Sequence, residues 1–175
     1  MVLYRDMIKT SIGPLTLLST PKGLCRIDFS SGAGQRVDRY IKKHFADAEI
    51  RKGGEHNRNA ARQISAYLRG KLRRFSVKLD IQEAGFNREV LGHVKGIPFG
   101  KTRTYGRIAA ALGKPGAARA VGNANRLNPI PIIVPCHRVV AANGLGGYGG
   151  GLALKVKLLK LEGADVGKSA TARRR

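Results

Sequence analysis

The strongest chemical signal in the chain is a cysteine followed at once by histidine and arginine, Cys136-His137-Arg138. A thiolate is a good nucleophile once neighbouring positive charge lowers its pKa, and an adjacent histidine can take the thiol proton. By itself the dipeptide reads more readily as a buried structural cysteine. On an extended chain adjacent side chains point to opposite faces, so a direct Cys136–His137 bond is not assured and a bridging water would serve. Glu162 adds to the picture. It falls in the last turn of an expected helix, where the helix dipole disfavours a carboxylate by ~0.3–1 kcal/mol. A carboxylate held there calls for a partner, and His137 is the obvious one. Cys136, His137 and Glu162 in relay would form a triad-like arrangement.

Other letters carry less. Gly144-x-Gly146-x-x-Gly149 satisfies a dinucleotide-binding pattern, but no βαβ unit follows it. The loop is better read as a flexible lid or pocket wall that supplies backbone N–H groups and Tyr148. His44, His56, His93 and His137 with Cys25 and Cys136 show none of the common zinc spacings, so no metal is expected. Cys25 lies in an expected strand and reads as simply buried. Two cysteines make no disulfide framework, which points to a reducing, intracellular compartment, the cytoplasm or, in a eukaryote, the nucleus. Arg5, Asp6 and Lys9 interrupt any secretory signal, and no apolar run approaches the ~20 residues of a membrane span.

Charge narrows the partner. Among 175 residues, 33 Lys and Arg face 11 acids, a net of +22. Residues 1–85 hold 17 basic and 8 acidic side chains, and residues 86–175 hold 16 and 3. Between Glu89 and Glu162 there is no acid and there are eleven Lys or Arg. Such a field suits a phosphate backbone; a solvated basic surface is the plain alternative.

The elements that must hold these residues fall into an N-terminal α+β domain, residues 1–84, and a mostly helical C-terminal domain, residues 85–165. A basic tail, residues 166–175, is expected to be disordered. In the first, Leu3–Thr10, Leu15–Thr20, Leu24–Phe29 and Phe75–Leu79 read as strands of a small antiparallel sheet. Val37, Tyr40, Ile41, His44 and Phe45 mark one helix face, and Ala60, Ala61, Ile64, Tyr67 and Leu68 a second, stopped by Gly70. A loop with Gly53-Gly54 lies between them. In the second domain Phe86–Lys95 reads as helix. Thr104 caps a helix from Tyr105 to Leu112, and Lys114-Pro115-Gly116 connects it to another from Ala117 to Asn125. That pair is a helix-turn-helix candidate. Its second helix is rich in small residues, with Arg119 as its one long probe before Arg126. Residues 128–135, with Pro129, Pro131 and Pro135, read as a rigid extended segment. A last helix runs from Leu152 to Glu162, with Leu152, Val156 and Leu159 on its apolar side.

The run Ala118-Arg119-Ala120-Val121-Gly122, then Asn128-Pro129 and Pro135-Cys136-His137-Arg138-Val139-Val140, resembles the core of the O6-alkylguanine-DNA alkyltransferases. The likeness continues through Gly144, Gly146, Tyr148 and Gly150-Gly151-Leu152 to Lys155, Leu158-Leu159 and Glu162-Gly163, and takes in Tyr105-Gly106-x-Ile108-Ala109 upstream. It is strong over about residues 86–163 and looser before. The resemblance implies DNA repair by irreversible, single-turnover transfer of an alkyl group from O6-alkylguanine in duplex DNA to Cys136, with O4-alkylthymine open as a second substrate. It implies His137 as a base acting through water, Glu162 orienting it, Asn128 bracing the turn, and Tyr105 touching the flipped base. Arg119 would fill the gap left by the extruded nucleotide. Thr104, Ala118, Ala120, Gly122, Asn123 and Arg126 would meet the minor groove, and Tyr148, Val139 and Gly149 would line the base pocket. Family members often carry a hydroxyl residue at the Gly149 position, so a side-chain contact is lost there. The expected partner is alkylated double-stranded DNA, bound by a monomer with no cofactor and no membrane, since DNA itself donates the alkyl group. Three other readings remain: a non-catalytic lesion binder of the same fold, a Cys-His-Glu hydrolase, and a plain basic nucleic-acid binder.

Overall fold

The computed structural model describes residues 1–29 and 33–165; the basic tail lies outside the described residues. The chain divides into two compact units, Met1–Gln82 and Glu83–Arg175.

The first unit is built on a four-stranded sheet in the order β3-β2-β1-β4, from β1 (Val2–Ile8), β2 (Leu15–Thr20), β3 (Gly23–Phe29) and β4 (Glu49–Lys52). β1, β2 and β3 pair antiparallel, while β4 runs parallel to β1 with Leu3 opposite Ile50. The sheet is therefore mixed rather than wholly antiparallel. Every residue of β2 is buried, as required of a central strand with both faces covered. Helix α1 (Ala33–His44) lays Val37, Tyr40 and Ile41 on Leu3, Leu18 and Cys25. Helix α2 (Glu55–Leu68) buries Ala60, Ile64 and Tyr67 and packs on β1, β2 and β3.

One strand here was not expected, and one expected strand does not form. β4 gives no alternation to read, because its Glu-Ile-Arg-Lys sequence is exposed throughout at the sheet edge. Phe75–Leu79 is not a strand: only Leu79 forms a bridge, to Leu24. The alternation there comes instead from packing, with the Phe75 ring 5.3 Å from that of Tyr67 and Val77 buried.

The second unit is mostly helical. Helix α3 (Gly85–Lys95) buries Val90, Leu91 and Val94 and packs on α5 (Ala118–Arg126), which also packs on α4 (Tyr105–Ala111). Thr104 caps α4, its Oγ1 accepting the Arg107 N–H at 3.2 Å. Two two-residue strands, β5 (Arg103–Thr104) and β6 (Val139–Val140), pair in parallel. They tie the entrance of α4 to the segment after Cys136. Helix α6 (Leu152–Leu161) closes the unit. Its buried face is Lys155, Leu158 and Leu159, whereas Leu152 is 49% exposed. The expected apolar side was displaced because a lysine occupies the buried stripe.

Candidate active site

The segment before Cys136 is a tight turn, not an extended rod. The Val134 N–H donates to the Ile130 carbonyl at 2.9 Å, and Pro131 bridges to Val134. Ile132 at the tip has φ 75°, a left-handed conformation that strains a β-branched residue by roughly 1–3 kcal/mol. Asn128 holds the loop closed from inside. Its Nδ2 donates to the Val134 carbonyl at 2.8 Å and its Oδ1 accepts the Ile130 N–H at 3.0 Å. The prolines restrict φ, but Asn128 decides which way the chain turns.

The turn delivers Cys136-His137-Arg138 as one turn of 3-10 helix, all three residues buried. The opposite-faces argument for an extended chain therefore does not apply. Asn125 on α5 donates to the Cys136 carbonyl at 3.3 Å, which ties the cysteine to the helix-turn-helix.

Around the cysteine, two side chains and a backbone N–H converge on one carboxylate. His137 Nε2 lies 2.9 Å from Glu162 Oε1. Arg138 straddles the same carboxylate, Nε to Oε2 and Nη2 to Oε1, each at 2.9 Å, and its Nη1 donates to the Ile97 carbonyl. The Gly100 N–H adds a bond to Oε2 at 3.1 Å. Glu162 caps α6 and its carboxylate is fully enclosed, so the unfavourable dipole is offset by a bidentate guanidinium and a backbone donor. Gly100 is at φ 73°, and a Cβ there would lie 2.8 Å from the Glu162 carbonyl oxygen. Only glycine allows that approach.

A fourth group appears in the sequence only as part of the family likeness, with no role assigned to it. Lys155 is completely buried and donates to the carbonyls of Val139 at 2.6 Å, Leu145 at 2.5 Å and Gly147 at 3.1 Å. The glycine loop is thus pinned from beneath by an ammonium, not loose as a lid would be. Nothing in helical periodicity marks Lys155; its place in the run that resembles the family was the sign available. Arg138, read as a charge beside the thiol, in fact clamps Glu162.

Electrostatics set the resting state. Burial pushes the Cys136 thiol up to about 11, against the opposing pull of the Asn128 hydrogen bond and the Lys155 charge. Burial also pushes His137 below its ordinary value, outweighing the Glu162 hydrogen bond and charge. Lys155 is brought down to about 8 by the same desolvation. At neutral pH the pair is a protonated thiol beside a neutral imidazole, a base able to receive the thiol proton.

Tyr105 begins α4, and burial raises its phenol. A Cβ on Gly146 (φ 68°) would lie 2.8 Å from the Tyr105 hydroxyl oxygen, so the ring sits directly on the glycine loop. The Tyr148 ring meets His137 edge-on, centroids 6.4 Å apart. Val139 is buried with its carbonyl engaged by Lys155, and Gly149 is exposed.

On α5, Arg119, Asn123 and Arg126 are exposed at spacings of four and three residues, hence on one helical face, with Ala120 beside them. Arg126 donates to Asn123 Oδ1 at 2.9 Å. Ala118 and Gly122 are half-buried, and a Cβ on Gly122 would meet the Tyr105 ring at 3.8 Å. Gly122 thus serves the seat of Tyr105. Among the described residues there is no cluster of three or more His, Cys, Asp or Glu able to hold a metal, and no helix is long and apolar enough to cross a membrane.

Comparison with known proteins covers most of the chain. Residues 3–81 match the ribonuclease-like domain of 6-O-methylguanine DNA methyltransferase, and residues 85–164 match the DNA-binding domain of the same family. A methylated-DNA–protein-cysteine methyltransferase of Methanosarcina acetivorans is 44% identical over 163 residues, 93% of this chain and 99% of that one. One from Methanosarcina barkeri is 44% identical over 91% and 97% of the two chains. The crystal structure of Mycobacterium tuberculosis OGT in complex with DNA superposes with a TM-score of 0.78 at 40% identity, covering 91% of this chain and 92% of that one. The chain belongs to the methylated-DNA–protein-cysteine methyltransferases, the O6-alkylguanine-DNA alkyltransferase family.

Proposed function

We propose that this chain repairs duplex DNA by taking the alkyl group of an O6-alkylguanine onto Cys136, once per molecule. The observation that carries the reading is the buried Cys136 on its turn, tied to α5 by Asn125 and backed by the His137–Glu162–Arg138 network. Membership of a family whose relatives act on methylated DNA supports it.

The chemistry follows from the resting state. A thiol at about 11 is inert toward solvent electrophiles at neutral pH. When the flipped nucleotide enters, the Cys136 proton passes to His137, directly or through a water, and Glu162 stabilises the imidazolium. The sulfur attacks the alkyl carbon in line, an S–C bond forms, and the C–O6 bond breaks with its electron pair leaving on guanine. Tyr105 places its phenolic proton on the departing base, and the proton taken up by His137 returns to the phenol, so that the thiol proton ends on guanine and the site is left neutral. The product is a thioether that no group in the site can hydrolyse, so turnover stops at one.

Reaching a buried O6 requires extrusion of the nucleotide, at a few kcal/mol. Arg119 on the exposed face of α5 takes the vacated place in the stack, Asn123 and Arg126 hold the adjoining backbone, and Ala120 lets the helix approach closely. Thr104 sets the direction of α4. Tyr148 and the backbone near Val139 and Gly149 wall the pocket. The protein works without a cofactor, wherever the cell keeps its DNA.

Intact mass after incubation with a duplex bearing one O6-methylguanine tests the proposal. The expected result is one added CH2 per chain, reaching a limit of one equivalent and absent in Cys136→Ser. Unchanged mass with tight lesion binding would leave a non-catalytic binder, and continued product formation beyond one equivalent would leave a hydrolase.

A further inference from the structure

The helix-turn-helix gives the second unit a surface for DNA and leaves the basic charge of the first without a role. There the cations are not evenly neutralised. Arg5 pairs with Asp38, Arg26 and Arg36 with Asp28, and Arg51 with Glu49. None of these ion pairs takes Arg58, Arg62 or Arg69.

Those three arginines are exposed and lie on one stripe of α2 and its C-terminal cap, at spacings of four and seven residues. Ser65 continues the stripe, and Arg69 donates to its Oγ at 2.6 Å while Arg62 donates to Asn59 at 3.0 Å. Both guanidiniums are therefore held in place by neutral partners. At 1.5 Å per residue the stripe runs about 17 Å, the axial rise of roughly five nucleotides of one strand. Lys71 and Arg74 follow in the sequence beyond the helix, both exposed. Complementing the helix dipole does not explain the pattern, because Arg58 sits near the N-terminal end, where a cation is disfavoured.

The stripe ends in a recess of about 300 Å³ lined by Lys9, Thr10, Ser11, Ser65, Leu68 and Arg69. Thr10 spends its hydroxyl proton on the Gly13 carbonyl at 2.6 Å, so the donors the recess offers a phosphodiester are the two cations, Lys9 and Arg69, with the Ser65 hydroxyl beside Arg69.

We infer that the outer face of α2, with the recess at its C-terminal end, is a second nucleic-acid backbone site, separate from the helix-turn-helix and indifferent to the lesion. It needs no alkyl transfer and would hold for undamaged duplex. Its role is to raise non-specific affinity, and with it the time the protein spends on DNA between lesions.

The test compares two triple variants of the full chain. One, Arg58→Gln, Arg62→Gln and Arg69→Gln, removes the stripe with a good helix former at exposed positions. The other, Arg39→Gln, Lys42→Gln and Lys43→Gln, removes the same charge from the exposed side of α1. Affinity for undamaged duplex is measured against salt concentration. Each lost phosphate contact lowers the slope of log K against log salt by about 0.9. The α2 variant is expected to lose about two to three units of slope and the α1 variant less than one. The rate of transfer at saturating lesion DNA stays that of wild type in both, which separates this site from the active site. Equal slopes for the two variants would reduce the effect to net charge and overturn the inference. Loss of binding to an acidic polypeptide with duplex affinity intact would overturn it too, by assigning the face to a protein.

Discussion

The two cysteines pose the same question in two settings. Cys25 in β3 and Cys136 after the proline turn are both free thiols, both buried, and both raised in pKa by desolvation. Cys25 goes to about 12, with the Asp80 charge adding to burial, and its thiol donates to the Leu18 carbonyl. Cys136 stops at about 11, because the Asn128 hydrogen bond and the Lys155 charge pull the other way. Burial is common to both and confers nothing. What separates them is the company: a strand neighbour's carbonyl and a distant acid for one, a base, an amide and an ammonium for the other.

Replacement of either thiol should give opposite results, the largest contrast available. Cys136→Ser abolishes alkyl uptake by mass while the protein stays folded by circular dichroism. Cys25→Ala takes up one alkyl group per chain at close to the wild-type rate. Loss of uptake in a folded Cys25→Ala protein would show that the first cysteine is not merely structural.

A smaller effect divides the company of Cys136 into chemistry and scaffold. His137→Gln removes a neutral base, so the single-turnover rate falls ~10²–10⁴-fold with little change in unfolding free energy. Glu162→Gln removes the counter-charge of two partners. Arg138 is then a buried guanidinium without its carboxylate, a loss of about 3–5 kcal/mol in stability, in addition to slower transfer. Urea unfolding beside single-turnover kinetics distinguishes the two. If both variants lost rate and stability in the same proportion, His137 would be structural as well.

How legible this was differs between the regions. The chemistry was readable where residue types are rare and adjacent: Cys136, His137 and the displaced carboxylate of Glu162 stood out, and the structure places the last two 2.9 Å apart. Helices with clear apolar stripes, such as that of Val37, Tyr40 and Ile41, were readable too. Long-range polar contacts were not. Lys155 looks like a surface lysine until three backbone carbonyls from the loop 139–147 close on it. β4 shows no pattern because an exposed edge strand needs none, and Phe75–Val77 shows a strand's pattern because Phe75 packs on Tyr67 of α2 and Val77 is buried. Three prolines suggested stiffness, yet the direction of the turn was set by Asn128, through two hydrogen bonds that composition does not reveal.

The smallest predicted effect sharpens the comparison in the folding equilibrium. A thiol whose folded pKa exceeds its unfolded value favours the folded state fully below about 9, and that contribution is lost as pH rises through the folded pKa. For Cys25 the window runs from 9 to about 12, and for Cys136 from 9 to about 11. Lys155 works oppositely: its pKa drops to about 8 on folding, so the unfolded chain binds more protons between 8 and 10.5 and stability gains there as pH rises. The wild-type curve mixes all three. Differences between variants separate them: the stability gap between wild type and Cys25→Ala should shrink by up to about 1.4 kcal/mol per pH unit within its window. That gap should still be closing above pH 11, where the gap between wild type and Cys136→Ser has levelled. Denaturant titrations across alkaline pH read both gaps. Levelling of the two at the same pH would mean that the Asn128 hydrogen bond does not favour the Cys136 thiolate, and the electrostatic distinction between the cysteines would fail.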